Sequence, residues 1–450
     1  MKELRNYQNR QQTTRFAGAR ARRAENLPRR QAGRQQKKIL SVKHASAGLI
    51  HLSLKQKSEA LSSLAIALVK NSAQILKANK ADIKAAKKYG KSDSFIERLA
   101  LDKEKIKNMA DSLRAMAKLP DYIGEVMEEK SRPSGIRIKK VRAPLGLVAI
   151  IYESRPNVTV DAFSLAFKSG NGIILKGGKE IKNTNLELVK IIKAALKKHG
   201  VNPEIILDLT GLGNPETLEL MADKNIDCLI PRGGKGLIEF VRENAKIPVI
   251  ITGASVVHAY VDEDADLELA RRVIINAKTR RVSICNALDV LLLHKKISQP
   301  VLGLLAKDLS AKGVEIRANQ TAYRILKKLN YPKLKPAGTA DFDTEFLDYI
   351  LAVKIVNDLD KAIKHIQTHT LGHSEAIITR SKSKAEKFFK AIDAACLYHN
   401  TSTQFSDGGE FGLGSEIGIS TQKLHARGPF AHEALTTYKY IIESKGITRR

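Results

Sequence analysis

Cys285 is the residue of this sequence whose neighbours most favour covalent chemistry. It lies in the stretch "NAKTRRVSICNALDV", residues 276–290, between a group of cations and an apolar segment. Lys278, Arg280 and Arg281 precede the cysteine, and nearby cations stabilise the thiolate that acts as a nucleophile. Cysteine is also among the most buried residue types. The local sequence therefore leaves two readings open, a nucleophile and a small buried hydrophobe.

Three loops carry residue types that could bind a nucleotide. "GIILKGGKE" places Lys176 at the end of an apolar run, "CLIPRGGKG" contains Gly233 and Gly234, and "YESRPNVT" follows a third apolar run. Glycines let backbone N–H groups approach a phosphate, although ordinary tight turns also require glycine. The standard fingerprints fail, because "GLGNPE" ends in Glu216 and "LIPRGGKG" lacks the first glycine of a P-loop. A dinucleotide site here must therefore use another mode.

Histidine and cysteine spacing argues against a metal. His365, His369 and His373 recur every four residues, which on one helix face would suit a metal. Gly372 is expected to end that helix before the third histidine. The three cysteines are widely separated and form no CxxC or zinc-like cluster, which favours a reducing compartment. We predict no metal site.

The pattern of apolar residues predicts an α/β protein. Residues 41–119 show helical spacing, as in Ile106, Met109, Leu113 and Met116. Short β-branched runs then alternate with amphipathic helices, which predicts parallel sheets covered on both faces. The predicted strands of the first series are 146–153, 172–176, 204–210, 227–231, 248–252 and 256–261, and those of the second series are 289–294, 351–356 and 375–379. Two α/β domains follow.

The charge of the chain is strongly positive. The 450 residues carry 77 Lys and Arg against 47 Asp and Glu, a formal net charge of +30. Such a balance is typical of nucleic-acid binding, but residues 1–40 alone hold 12 cations and two acids. We predict that residues 1–40 form a basic, disordered extension, with a transit peptide, a nucleic-acid arm and an incidental extension left open. The rest of the charge is expected to be a solvated surface.

Six segments together resemble a known family. They are "VRAPLGLVAIIYESRPNVTVDAF", "GIILKGGKE", "LIPRGGKGLI", "CNALDVLLLH", "SDGGEFGLGSEIGIS" and "TQKLHARGP…EALTTYKYI". In this order they resemble the γ-glutamyl phosphate reductase family of the aldehyde dehydrogenase superfamily, over about residues 41–448. The resemblance implies an aldehyde dehydrogenase-like fold, with a cofactor domain, a catalytic domain and a small oligomerisation element. The basic extension lies outside it.

The resemblance implies a role for seven residues. Cys285 would be the nucleophile, and the side-chain amide of Asn157 would help to hold the oxyanion. The residues implied to bind the dinucleotide are Ser154, Lys176, Gly233, Gly234 and Glu345. The superfamily binds nicotinamide dinucleotides without a strict GxGxxG, which accounts for the missing fingerprint.

One absence and several departures refine what the resemblance implies. Hydrolytic members keep a glutamate base before the cysteine, where this chain has Thr252 and Gly253 in "IITGASVV". Without that base a thioester is not cleaved by water, which fits a phosphate-linked reaction. The chain has Val282-Ser283 where Pro-Gly is usual, and "RGPFAHEAL" departs from "RGPMGLEAL". Gln404, in "STQF", replaces an arginine, which leaves the amino-acid and phosphate contacts undefined.

The implied function is the NADPH-dependent reduction of L-glutamyl 5-phosphate to L-glutamate 5-semialdehyde and phosphate, a step of proline biosynthesis. Two alternatives are a coenzyme A-acylating aldehyde dehydrogenase and a basic nucleic-acid-binding protein on an inactive scaffold. We expect a cytoplasmic homo-oligomer with a functional link to glutamate 5-kinase, no membrane contact and no nucleic-acid partner. The expected domains are 41–254 for the cofactor, with an oligomerisation segment 124–144 inserted, 255–430 for catalysis, and 431–450 as a second oligomerisation segment.

Overall fold

The computed structural model describes residues 29–449, and the chain divides into two compact units. Unit 1 comprises the residues up to Ile250 and those from Ala431, and unit 2 comprises Ile251–Phe430. The segment that forms unit 2 is therefore inserted between two parts of unit 1. Within the described range, no helix is long and apolar enough to cross a membrane.

Nine helices in the described part of unit 1 surround its sheet. They are α1 (Arg29–Ser46), α2 (Leu54–Lys70), α3 (Ser72–Lys88), α4 (Asp93–Leu99), α5 (Lys103–Lys118), α6 (Asn157–Lys168), α7 (Lys182–Lys198), α8 (Asn214–Leu220) and α9 (Lys235–Asn244). The predicted apolar face of α5 is confirmed, because Ile106, Met109, Leu113 and Met116 are all buried. Asp102 caps this helix by accepting a hydrogen bond from the backbone N–H of Lys105.

Helix α1 differs from the expectation for residues 1–40. Residues 29–40 lie in this helix rather than in a disordered segment, and Ile39 is only 1% exposed in the core of unit 1. Burying one such side chain contributes about 1.5–3 kcal/mol, which helps to offset the ordering of a polar helix turn. The remainder of that expectation, residues 1–28, lies outside the described residues.

The main sheet of unit 1 has four parallel strands in the order β5-β4-β3-β6. The strands are β3 (Leu147–Tyr152), β4 (Gly172–Gly177), β5 (Ile206–Asp208) and β6 (Cys228–Arg232). All six residues of β3 are buried, as expected of a parallel strand covered on both faces. The run predicted at 248–252 is not a strand; it forms only two isolated bridges, Val249 with Leu229 and Thr252 with Ser420. The other four predicted strands are confirmed within a few residues.

A second sheet in unit 1 has three antiparallel strands in the order β1-β2-β16. These strands are β1 (Val126–Ser131), β2 (Arg137–Pro144) and β16 (Thr436–Glu443). Strand β16 pairs with β2 along its whole length, from Thr436–Pro144 to Glu443–Arg137. Every residue of β1 is exposed. The chain thus returns to unit 1 at its far end to complete this sheet.

Unit 2 is built on seven parallel strands in the order β10-β9-β11-β8-β7-β12-β13. The strands are β7 (His258–Val261), β8 (Val290–His294), β9 (Glu315–Ala318), β10 (Leu334–Pro336), β11 (Ile350–Val356), β12 (Ser374–Ile378) and β13 (Cys396–His399). Its helices are α10 (Leu267–Thr279), α11 (Ser298–Ala311), α12 (Gln320–Lys328), α13 (Leu359–His369) and α14 (Lys382–Ala391), and a short antiparallel pair comprises β14 (Gly418–Ser420) and β15 (Gly428–Phe430).

The sheet of unit 2 has an apolar core on each face. Along β7, Ala259 and Val261 belong to one core, whereas Tyr260 between them belongs to the other. This alternation follows from the period of two along a strand. The two parallel-sheet α/β units confirm the fold class predicted from the sequence.

Candidate active site

The carboxyl ends of β3 and β6 mark the ligand-binding edge expected of the unit 1 sheet. The chain order of strands reverses between β3 and β6, and ligands in open α/β sheets bind outside the carboxyl ends of the strands at such a point. Ser154 follows β3 and is 5% exposed. Gly233 and Gly234 follow β6, immediately before α9. The sheet thus brings these three predicted cofactor residues to one edge.

Gly233 has no room for a side chain. A Cβ there would lie 2.8 Å from both Cδ of Glu153 and Cδ2 of Leu237. The next residue, Gly234, donates its backbone N–H to Oε2 of Glu153 at 3.1 Å. Glu153 therefore holds the glycine turn against the end of β3. Helix α9 then begins, and the N–H groups of its first turn favour a phosphate.

Lys176 lies at the end of β4, beside β3. Burial lowers the pKa of its ammonium group, whereas the nearby carboxylates of Glu180 and Glu216 oppose that shift. Two residues later, a Cβ on Gly178 would lie 3.8 Å from the hydroxyl of Ser154. Lys176 and Ser154 therefore belong to neighbouring loops of the same sheet edge.

A buried polar network lies beneath these loops, and no sequence motif predicts it. The side-chain amide of Asn185 donates to the Tyr152 hydroxyl at 2.6 Å and to Oγ1 of Thr210 at 2.7 Å. Oγ1 of Thr159 donates to the Asn185 amide oxygen at 2.6 Å. Thr210 also accepts the backbone N–H of Gly177 at 3.2 Å. The network joins the ends of β3 and β4 to the loop after β5. Its buried polar groups satisfy one another's hydrogen-bonding capacity.

Asn157 is the first residue of α6 and its side chain is exposed. Its Nδ2 donates a hydrogen bond to Oδ2 of Asp161 at 3.0 Å, one helical turn later. An amide nitrogen carries two N–H donors, so this bond leaves the second available to a ligand. Asp161 orients the amide, a contribution that the sequence analysis did not identify.

Cys285 lies in the nucleophile loop, which we define as residues 280–289 between α10 and β8. Cys285 is half-buried, whereas Cys228 and Cys396 are buried. Burial raises the pKa of the Cys228 thiol to about 12 and also raises the pKa of Cys396. The buried-hydrophobe reading therefore fits Cys228 and Cys396 better than it fits Cys285.

Ser255 connects Cys285 with Glu345. Its hydroxyl donates to the backbone carbonyl of Cys285 and lies 3.0 Å from Oε1 of Glu345. Ser255 itself is fully buried. Cys285 and Glu345, 60 residues apart in the sequence, are thus held by one side chain that the sequence analysis missed.

Two buried charged residues, Lys278 and Asp289, support the same loop. Asp289 accepts the backbone N–H of Val257 at 3.2 Å and of Phe346 at 3.0 Å, and Lys278 donates to the carbonyl of Leu288 at 2.9 Å. Burial lowers the pKa of Lys278 to about 8 and raises that of Asp289 to about 6. The pair ties the nucleophile loop to the segments that carry Ser255 and Glu345.

The region expected to lack a water-activating base does lack a carboxylate. Thr252 is buried and pairs as a β-bridge with Ser420, and a Cβ on Gly253 would meet Oγ1 of Thr421 at 2.6 Å. The side chain of Thr421 would therefore have to move to admit a larger residue at position 253.

The three spaced histidines do not share one helix face. Helix α13 ends at His369, and Gly372 has a φ of +76°, so His373 lies beyond the turn. His365 is buried, which lowers its pKa to about 2. Within residues 29–449 there is no group of three or more His, Cys, Asp or Glu side chains arranged to hold a metal.

Comparison with known proteins identifies the family. The sequence model of the aldehyde dehydrogenase family matches residues 30–321. The γ-glutamyl phosphate reductase of Carboxydothermus hydrogenoformans is 50% identical over 410 residues, which cover 91% of this chain and 97% of that protein. That of Streptococcus suis is 50% identical over 396 residues, 88% of this chain and 94% of the relative.

Solved structures agree with these relatives. The crystal structure of γ-glutamyl phosphate reductase from Thermotoga maritima has a TM-score of 0.89 and 41% identity, and the match covers 92% of this chain and all of that one. A glyceraldehyde-3-phosphate dehydrogenase from Methanocaldococcus jannaschii, at 18% identity and a TM-score of 0.65, shares the fold. The family and fold implied by the sequence motifs are thereby confirmed. The chain belongs to the γ-glutamyl phosphate reductases of the aldehyde dehydrogenase family.

Proposed function

We propose that this chain reduces L-glutamyl 5-phosphate to L-glutamate 5-semialdehyde and phosphate with NADPH, a step of proline biosynthesis. The observation that carries the proposal is the half-buried Cys285, held through Ser255 beside Glu345 in a unit without a carboxylate at positions 252 and 253. A cysteine of this kind suits acyl transfer, because a thiolate splits the reaction into two easier steps.

In the first step the Cys285 thiolate attacks the acyl carbon of the mixed anhydride. The C–S bond forms, the C–O bond to the phosphate breaks, and phosphate leaves with the bonding electron pair. The second N–H of the Asn157 amide is the oxyanion donor that the family resemblance implies. Removing one such donor typically costs about 10²- to 10³-fold in rate.

The thioester must survive until it is reduced. Thr252 and Gly253 offer no group that could activate a water molecule, so the acyl enzyme is protected from hydrolysis. Ser255 and the buried pair Lys278–Asp289 keep the nucleophile loop in place during this interval.

The glycine turns of unit 1 fit a dinucleotide. A Cβ on Gly233 would displace the side chain of Glu153 or Leu237, and backbone N–H groups at the start of α9 favour a phosphate. The residues that would hold the cofactor are Ser154, Lys176, Gly233, Gly234 and Glu345. When bound, NADPH supplies the hydride that converts the acyl group to the aldehyde.

The same proposal covers the oligomeric state, a partner enzyme and the cellular location. The sheet β1-β2-β16 exposes apolar side chains, including Met127, Tyr440 and Ile442, which supports a homo-oligomer formed through it. The lability of an acyl phosphate supports a functional link to glutamate 5-kinase, which would supply it. A cytoplasmic location fits the three cysteines without a paired arrangement in the sequence.

The test is the reverse reaction, phosphate-dependent reduction of NADP⁺ by glutamate semialdehyde. Wild type and Cys228→Ala should be active, since Cys228 packs in the core of unit 1, whereas Cys285→Ala should lose activity by more than about 10³-fold. Replacing phosphate with coenzyme A should abolish the signal. An active Cys285→Ala variant, or a preference for coenzyme A, would overturn the proposal.

A further inference from the structure

Gln404 makes an unusual set of contacts with the nucleophile loop. It lies in a single helical turn, Thr403–Phe405, and only 4% of it is exposed. Its Nε2 donates to the backbone carbonyl of Ala277 at 2.9 Å and to that of Arg281 at 3.2 Å. One buried amide thus satisfies two carbonyls at the entrance of the loop that carries Cys285.

The same turn also contacts the other end of the loop. Oγ1 of Thr403 donates to the carbonyl of Asn286 at 2.7 Å, and the side-chain amide of Asn286 donates to the carbonyl of Ser406 at 3.0 Å. The N–H of Leu288 donates to the carbonyl of Ala277 at 3.0 Å, which closes the loop on itself. The turn therefore brackets Cys285 from both sides in sequence.

Arg280 completes the arrangement. Its Nη1 donates to Oε1 of Gln404 at 3.4 Å, so both the donor and the acceptor of the Gln404 amide are in use. The family resemblance places an arginine at position 404, where this chain has glutamine. A guanidinium has no acceptor, so an arginine at 404 could not receive the bond from Arg280. It would instead place two cations together in a partly buried space.

We propose that Gln404 is a positioning residue of the nucleophile loop. Its hydrogen-bond partner Arg280 supplies the cation that the family carries at position 404. The inference rests on the proposed role of Cys285 as the nucleophile. Gln404 acts through the loop, by fixing the path of residues 277–281, and the two positions 280 and 404 form one exchangeable pair.

Four variants test the proposal: Gln404→Glu, Gln404→Arg, Arg280→Gln, and the double variant Arg280→Gln/Gln404→Arg. Gln404→Glu keeps the size of the side chain and an oxygen that can accept the bond from Arg280. It replaces the amide nitrogen, which donates to the two carbonyls, with a second oxygen. We expect its kcat to fall by on the order of 10²-fold, the cost of a misplacement of about 1 Å, with KM for NADP⁺ little changed. The kcat of Gln404→Arg and that of Arg280→Gln should fall by a similar factor, and the double variant should recover most of the activity.

A second readout separates positioning from general destabilisation. The rate at which iodoacetamide alkylates Cys285, followed by mass spectrometry of its peptide, should change in the single variants and return towards wild type in the double variant. Gln367→Leu is the control, because its amide also donates to a backbone carbonyl, that of Ala391, but at an exposed site on α13. It should leave both readouts unchanged.

The outcomes distinguish this inference from the function on which it rests. If Cys285→Ala is inactive while all Gln404 and Arg280 variants match wild type in kcat and alkylation, the positioning role is wrong and the function stands. If the double variant is no better than the worse single variant, the exchange is wrong. An active Cys285→Ala variant would refute the function itself.

Discussion

The side-chain oxygen of Ser255 lies 3.0 Å from Oε1 of Glu345. The same hydroxyl also donates to the backbone carbonyl of Cys285. The positions of Cys285, the proposed nucleophile, and of Glu345, a proposed dinucleotide-binding residue, are therefore coupled. A substitution that displaces Cys285 or Glu345 therefore also affects the other residue through the Ser255 hydroxyl.

Replacing Ser255 with alanine should impair both functions at once. We expect Ser255→Ala to lower kcat by about 10- to 100-fold, because the loop loses a fixed contact, and to raise KM for NADP⁺, because Glu345 loses a partner. Steady-state kinetics in both substrates measure the two effects. Ser58→Ala is the control, since that half-buried hydroxyl also donates to a backbone carbonyl, that of Ala117. A change in kcat alone would show that Glu345 does not depend on Ser255.

Gly233 offers a clean test of the cofactor edge. Gly233→Ala should weaken NADPH binding by about tenfold or more, because its Cβ must displace Glu153 or Leu237 and thereby shift the turn. Gly303→Ala is the control, since a Cβ at that position on α11 has no atom within 4 Å and the residue is not part of the cofactor edge. Fluorescence titration with NADPH gives both dissociation constants. Equal affinities for the two variants would contradict the assignment of this turn.

Asn157 and Asp161 should give graded losses. Asn157→Ala removes an oxyanion donor and should lower kcat by about 10²- to 10³-fold. Asp161→Ala removes the carboxylate that orients the amide but leaves the amide itself in place, and should cost less, about tenfold. Asn244→Ala, whose amide donates to the carbonyl of Phe240 within α9, should match wild type. Burst-phase measurement of phosphate release isolates the acylation step, and an undiminished burst in Asn157→Ala would exclude the role.

The pair Lys278–Asp289 predicts a distinct pH dependence of stability. Asp289 has a pKa raised to about 6 in the folded protein, against about 3.9 in an unfolded chain. Between pH 4 and 6 the folded state therefore binds more protons, so this carboxyl makes stability fall as pH rises. Lys278, with a pKa of about 8 against about 10.4, makes stability rise between pH 8 and 10.

The Tm difference between wild type and Asp289→Asn measures the acidic part of this dependence. Wild type should lose on the order of 2–3 kcal/mol relative to the variant as pH rises from 4 to 6. A difference that does not change with pH for Asp289→Asn would show that burial does not perturb this carboxyl.

The fold could be predicted from the sequence where strands are buried on both faces. β3 and β8 appear as unbroken apolar runs because each face of a parallel sheet is covered by helices. The short strands β9 and β10 were not predicted, since four and three residues carry too little pattern. The run 248–252 is predicted as a strand but forms only isolated bridges at Val249 and Thr252, and between them the N–H of Ile251 bonds to the side chain of Gln422.

The residues of the candidate site likewise divide into those that could be predicted from the sequence and those that could not. The residues with a distinctive chemistry or motif, such as Cys285 and Lys176, could be selected from the sequence. Ser255, Asp161 and Asp289 could not, because serine and aspartate are common and their contacts depend on backbone groups up to 57 residues away, as between Asp289 and Phe346. Gln404 stood out only as a departure from the family motif, and its contacts with residues more than 120 positions earlier gave that departure a physical meaning.

Strand β16 has a consequence for synthesis of the chain. Its partner β2 leaves the ribosome some 300 residues before it, with β1 on one side and an open row of amide and carbonyl groups on the other. That edge stays available to other extended segments until β16 has been synthesised, and unpaired edges are where β proteins aggregate. The lysines and arginines of β2 oppose such aggregation, because charged side chains on an exposed edge disfavour its pairing with another chain.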